Sequence, residues 1–149
     1  MNKEAPSDLL HLDQQICFPL YATARLVVKL YQPVLTKLGL TYPQYLVLLS
    51  LWEKDQKTVS ELSEQLVLES NTLTPLLKRL AAKKLLVRKR SLADERSTII
   101  SLTAAGKKMR TKALGVPLHV SNCLHSEALD QKELIALRKT LQNLLNKLR

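Results

Sequence analysis

"VSELSEQLVLESNTLTPLLKRL", residues 59–80, holds two short helical patterns separated by a connection at "LES", residues 68–70. The first runs from Val59 to Val67 and the second begins near Thr72, the spacing of a helix-turn-helix. In the second helix Leu73, Leu76, Leu77 and Leu80 make one apolar stripe. Ser70 at its opening, then Asn71, Thr72, Thr74, Lys78 and Arg79, are left toward the other sides. Asn and Thr near a helix N-terminus bond to base edges or phosphates, the backbone N–H groups there attract phosphate, and Lys and Arg neutralise it. Pro75 fits a helix starting no earlier than 70–72, because proline is tolerated where backbone N–H groups still lack partners. The candidate base-reading residues then occupy the first turn.

"LLVRKRSLADERSTIISLT", residues 85–103, follows directly. Val87 on one side and Thr98, Ile99 and Ile100 on the other favour strands and flank the polar "SLADERS", the pattern of a hairpin. Its loop has no glycine, so a longer arm reaching into solvent is expected rather than a two-residue turn. The arm carries Arg88, Lys89, Arg90 and Arg96, and an arginine on an extended loop has the shape to enter a narrow minor groove. Asp94, two positions earlier than Arg96, is placed to accept from its guanidinium and hold it. The fold class is therefore mainly α with a small β-hairpin wing, in the order of a winged helix-turn-helix.

Charge agrees with that placement. Twelve basic residues lie between Lys78 and Lys112 against Asp94 and Glu95, an excess of ten that equals the net charge of the whole 149-residue chain, +10. The remainder balances, so the basicity belongs to one segment, as a polyanion-binding surface requires. With six aromatic residues and three glycines the composition disfavours sandwiches and barrels, and the length fits a single domain, 1–149.

Capping pairs announce the other helices: Thr41 with Gln44, Thr58 with Glu61, and Asp130 with Glu133. Helices are expected at about 17–38, 43–54, 59–67, 72–85, 104–126 and 131–148. Leu134, Leu137, Leu141, Leu144 and Leu148 alternate spacings of three and four, the seam of a helix that packs lengthwise on another. The long first helix is apolar too, so both ends of the chain are read as a subunit interface. The expected organisation is a DNA-binding lobe at 40–103 with dimerisation helices at 8–38 and 104–149.

The N-terminus has no apolar core of secretory length, and the longest apolar run, "YLVLLSLW", is too short for a membrane span. A cytoplasmic protein with no membrane partner is expected. In that reducing setting Cys17 and Cys123, 106 positions apart, are either inert core residues or a redox pair rather than a permanent bridge. Pro19 places the start of the long helix close to Ile16 or Cys17, because proline deep in a helix costs roughly 3 kcal/mol and in the first turn little. At a helix N-terminus the macrodipole and unpaired N–H groups favour thiolate, the form that attacks a peroxide. Asp13 opposes this as a nearby carboxylate.

"LTYPQYLVLLSLWE", "NTLTPLLKRL" and "RKRSLADERSTIISLTAAGKKM" together resemble the MarR family of bacterial winged-helix regulators, and "LDQQICFPLYATARLVVKLYQPVL" narrows the match to its organic-hydroperoxide-sensing, OhrR-like branch. The resemblance covers about residues 12–112 closely and the rest by helical pattern. It implies a homodimer on pseudo-palindromic double-stranded operator DNA, with the helix near Asn71 in the major groove and Arg96 in the minor groove. It also implies that Cys17 is oxidised by organic hydroperoxides to a sulfenic acid, and that the hydroxyls of Tyr21 and Tyr31 hydrogen-bond to the reactive sulfur across the dimer. Cys123, in "VSNCLHS", matches the resolving cysteine of two-cysteine members, which forms a disulfide between subunits.

Two other regulator classes compete. A metal-responsive regulator would use His119 and Cys123, four apart on a helix. His125 lies about 200° around from Cys123 and the nearest other histidine is His11, a poor ligand count. A repressor relieved by an anionic aromatic small molecule would need no reactive cysteine. An enzyme is disfavoured, since no Ser-His-Asp constellation, glycine-rich phosphate loop or H-E-x-x-H motif is present, and no cofactor is required.

Overall fold

A computed structural model of the chain describes residues 10–91, 94, 96–125 and 129–149. Residues 8 and 9 of the expected N-terminal dimerisation segment, Leu92, Ala93 and Glu95 of the hairpin loop, and residue 126 of the expected fifth helix lie outside the described residues. In chain order the elements are α1 (Cys17–Lys37), α2 (Tyr42–Glu53), β1 (Lys57–Thr58), α3 (Val59–Leu66), α4 (Ser70–Ala82), β2 (Leu86–Arg90), β3 (Thr98–Leu102), α5 (Ala104–Lys112), α6 (Gly115–His125) and α7 (Gln131–Leu148). A single 3-10 turn at Leu12–Gln14 precedes α1.

All three expected capping boxes form. Thr41 accepts from the Gln44 N–H while the Gln44 side chain accepts from the Thr41 N–H, and Thr58 with Glu61 and Asp130 with Glu133 do the same for α3 and α7. Each box satisfies two N–H groups that a helix start leaves without partners. The hairpin is also as read: β2 and β3 pair antiparallel from Leu86 opposite Leu102 to Arg90 opposite Thr98. Sequence reasoning missed β1, which pairs with β3 through Lys57 opposite Ile100 and Thr58 opposite Ile99, giving a three-stranded sheet in the order β1-β3-β2.

Two expectations are corrected. The single helix 104–126 is two, α5 and α6, because Pro117 in an unbroken helix could not donate to the Ala113 carbonyl and its ring would clash with it. The chain instead breaks at Ala113–Leu114, where the Ala113 carbonyl accepts from Val116 N–H at 3.0 Å, and Pro117 falls in the first turn of α6. The helix expected at 72–85 runs from Ser70 to Ala82, so Pro75 sits inside it rather than in its first turn. Pro33 likewise lies inside α1, four residues before its end.

The chain divides into two compact units. One takes in the residues up to Gln32 and again those from Val120; the other is Pro33–His119. In the second unit Leu48, Leu51, Leu62, Leu73, Leu77, Leu80, Leu86 and Ile100 are all but fully buried, so α2, α3, α4 and the sheet share one core. α5 joins it by close approach: the Gly106 carbonyl accepts from Trp52 Nε1 at 2.9 Å, and the Gly106 Cα lies against the Leu85 carbonyl. In the first unit α1 and α7 leave large apolar side chains exposed, Phe18, Leu20 and Leu26 on the one and Ile135, Leu137, Leu141, Leu144, Leu145 and Leu148 on the other, with Ile16 exposed just before α1. No described helix is long and apolar enough to cross a membrane.

Candidate nucleic-acid interface and redox site

The turn between α3 and α4 is made without glycine. Val67 adopts the left-handed conformation, φ 53° and ψ 46°, and Leu68 N–H closes on the Ser63 carbonyl at 3.0 Å. α4 then buries Leu73, Leu76, Leu77 and Leu80, while Ser70, Asn71, Thr72, Lys78 and Arg79 are exposed and Thr74 is half-buried. The Glu69 carbonyl accepts from the N–H groups of Thr72 and Leu73, and no side chain caps the helix. The open first-turn N–H groups and the polar side chains around them make a surface suited to phosphate and base edges.

On the hairpin Leu86 is buried and Val87, Arg88, Lys89 and Arg90 are exposed. Asp94 does not hold the Arg96 guanidinium, as the sequence suggested. Its Oδ1 accepts from the Arg96 backbone N–H at 3.0 Å and its Oδ2 from the Ser97 hydroxyl at 2.7 Å, while the Ser97 N–H donates to the Asp94 carbonyl at 2.9 Å. A carboxylate with a free N–H two residues on closes a local turn in preference to an entropically dearer ion pair with a long side chain. The same bonds, first from Ser97 and then from Arg96, hold the Asp94 carboxyl below its ordinary value of 3.8. A depressed folded pKa means the turn is fully braced above the ordinary carboxylate range and loses its brace as pH falls through the folded value. In an NMR titration the Arg96 amide is therefore expected to shift with a midpoint below 3.8; a midpoint at or above it contradicts the assignment.

In the other unit Cys17 is the first residue of α1 and is exposed, with Asp13 in the preceding 3-10 turn. Phe18 N–H donates to the Gln15 carbonyl at 3.1 Å. Pro19 falls in the first turn, as its chemistry requires. Tyr21 stands one turn further on, and its hydroxyl accepts from Arg25 Nη1 at 2.7 Å while the guanidinium lies 5.4 Å from the ring centroid. Arg25 was missed by sequence reasoning, although its spacing of four from Tyr21 was a usable signal. Tyr31 is half-buried, and burial raises its hydroxyl above the usual tyrosine value. Fourteen residues separate it from Cys17 on one helix, about 21 Å of rise, so one chain does not bring the two together. Cys123 lies in α6, partly exposed, and is not in a disulfide. Among the described residues no three His, Cys, Asp or Glu side chains gather as a metal ion would need.

Comparison with known proteins places the chain. The family of SarA/Rot transcriptional regulators matches residues 29–113. The organic hydroperoxide resistance transcriptional regulator of Bacillus subtilis is 45% identical over 139 residues, 93% of this chain and 95% of that one. The chain belongs to the MarR family, in the branch of organic hydroperoxide resistance regulators. AbfR of Staphylococcus epidermidis has been solved several times. Its reduced form bound to DNA is 36% identical and superposes with a TM-score of 0.77 over 97% of this chain and 99% of that one. Its disulfide form is also 36% identical and superposes at 0.63, covering 95% and 94%. MarR of E. coli, at 23% identity, shares the fold with a TM-score of 0.72 over 88% of this chain and 96% of that one. As a MarR-family member the chain is a transcriptional regulator, with α3 and α4 as its helix-turn-helix and β2–β3 as its wing.

Proposed function

We propose that the protein is a homodimeric repressor that binds pseudo-palindromic operator DNA and releases it when an organic hydroperoxide oxidises Cys17. The observation that carries the reading is Cys17 itself: an exposed thiol at the opening residue of α1, one turn before Tyr21. Its setting lies in a chain 45% identical to an organic hydroperoxide resistance regulator.

In the first step the sulfur of Cys17 attacks the terminal oxygen of the hydroperoxide. The O–O bond breaks, the alcohol leaves with a proton, and Cys17 becomes a sulfenic acid. In the second, the Cys123 thiol of the partner subunit displaces hydroxide from that sulfur, forming a disulfide and water. AbfR has been solved with its disulfide formed and, overoxidized, bound to DNA, which supports the disulfide as the releasing species. The hydroxyls of Tyr21 and Tyr31, contributed across the dimer, are assigned as hydrogen-bond donors to the Cys17 sulfur. The exposed apolar faces of α1 and α7 are the surface a second copy covers. Residues 8–38 and 104–149 then serve dimerisation and 40–103 binds DNA.

On the DNA, Ser70, Asn71, Thr72 and Thr74 read or position the major groove, Lys78, Arg79, Arg88 and Arg90 neutralise phosphates, and Arg96 enters the minor groove from a turn that Asp94 shapes. Operator affinity is expected to fall with salt at a log–log slope of roughly −0.9 per phosphate contacted, and a slope near zero contradicts the assignment. The reading as a whole is tested by a gel shift of a palindromic operator fragment before and after cumene hydroperoxide, with binding expected before and release after.

A further inference from the structure

Among the described residues, one buried ammonium group is left unused by the DNA and redox readings. Lys57 is 7% exposed. Its Nζ donates to Ser50 Oγ at 2.9 Å and to Gln65 Oε1 at 2.6 Å, and the Ser50 hydroxyl donates to that same oxygen at 2.5 Å. Gln65 Nε2 in turn donates to Glu53 Oε2 at 3.2 Å. Among the described residues no carboxylate lies within ion-pair distance of Lys57. Burying such a cation is unfavourable, and apolar replacements at buried charged positions are often neutral or stabilising. Stability alone therefore does not account for a lysine here.

Its position does. Ser50 belongs to α2 and Gln65 to α3, while the backbone of Lys57 pairs in β1 with Ile100 of β3, which pairs on its other side with Arg88 of β2. One side chain thus ties the first helix of the helix-turn-helix to α2, and its own backbone ties both to the root of the wing. α3 leads to α4 through the turn at Val67, so Lys57 adds a second tie between α4 and the wing, beside the direct connection from α4 to β2 in which Leu85 N–H donates to the Leu80 carbonyl at 3.1 Å. We propose that Lys57 is a positioning residue that fixes the wing against α4, so that both engage one operator in the same register. This rests on the reading of α4 and the wing as DNA-binding.

A double-mutant cycle tests it, using the full-length protein, a palindromic operator fragment and fluorescence anisotropy, with a melting curve for each variant. Lys57→Met is expected to melt no lower than wild type yet bind roughly tenfold more weakly. Arg96→Ala is expected to cost roughly tenfold in wild type but less than about twofold in the Lys57→Met background. Gln65→Met removes the acceptor on α3 and is expected to uncouple Arg96 in the same way, which keeps the test available should Lys57→Met fold poorly. Additive penalties in the Gln65→Met or Lys57→Met background, or wild-type affinity in Lys57→Met, overturn the proposal. A wild type indifferent to Arg96→Ala overturns the wing reading and the proposal with it.

Discussion

Replacing Cys17 by serine is expected to leave operator binding within about twofold of wild type and to abolish its loss on treatment with cumene hydroperoxide. In wild type the same treatment is expected to weaken binding about 100-fold, roughly 2.7 kcal/mol. The size follows from the mechanism: the effect is a switch between two states of a dimer, and couplings of this order are usual for such transitions. Cys17 is exposed and serine is nearly its isostere, so neither the packing of α1 nor the DNA-binding unit is disturbed. Cys123→Ser separates the two chemistries, because sulfenic acid still forms at Cys17 but no resolving thiol follows. Release by hydroperoxide that survives Cys17→Ser would favour a regulator acting through a non-covalent ligand.

The largest expected effect on stability comes from a glycine of α5. A Cβ at Gly106 would lie 1.9 Å from the Leu85 carbonyl oxygen and 3.1 Å from Leu102 Cδ2. The obstructing atom is backbone at the root of the wing, where the Leu85 carbonyl also accepts from Thr103 N–H at 3.1 Å. Relief requires α5 to move away from the sheet, which breaks the Trp52 bond to the Gly106 carbonyl. Gly106→Ala is expected to destabilise by about 3 kcal/mol, lowering the melting temperature by roughly 10 °C. Gly115 is the internal control: a Cβ there meets nothing within 4 Å, so Gly115→Ala is expected to melt within about 2 °C of wild type. Equal melting temperatures for the two variants would contradict the packing of α5 described above.

Local chemistry made much of this architecture legible. Thr41, Thr58 and Asp130 open helices because their capping partners lie three residues on, and those contacts need no tertiary context. The leucines of α4 are buried at the helical period, and Pro19 marks the start of α1 for a reason internal to one turn of chain. Long-range features were harder to read. β1 is two residues long and exists only because β3 offers Lys57 and Thr58 an edge. Val67 turns the chain in a conformation that glycine would normally announce, so the turn had to be inferred from its flanks. Pro117 carried a readable signal against a continuous helix across Ala113, since the clash it would make is local. At the candidate site the residue types were legible and the partners were not. Asp94 takes its neighbours' backbone N–H and hydroxyl, Tyr21 is met by Arg25, and the Lys57 cluster joins three elements whose packing no window of sequence contains.

In the proposed mechanism a disulfide from Cys17 to Cys123 of the partner subunit is what lets go of DNA. The direct measurement is a titration of operator-bound wild-type protein with cumene hydroperoxide, reading DNA release by anisotropy and the crosslinked dimer by non-reducing electrophoresis on the same samples. Release is expected to rise in proportion to the crosslinked fraction and to reverse with added thiol. Full release with no crosslink, or a fully crosslinked protein still on its operator, would contradict release through this disulfide.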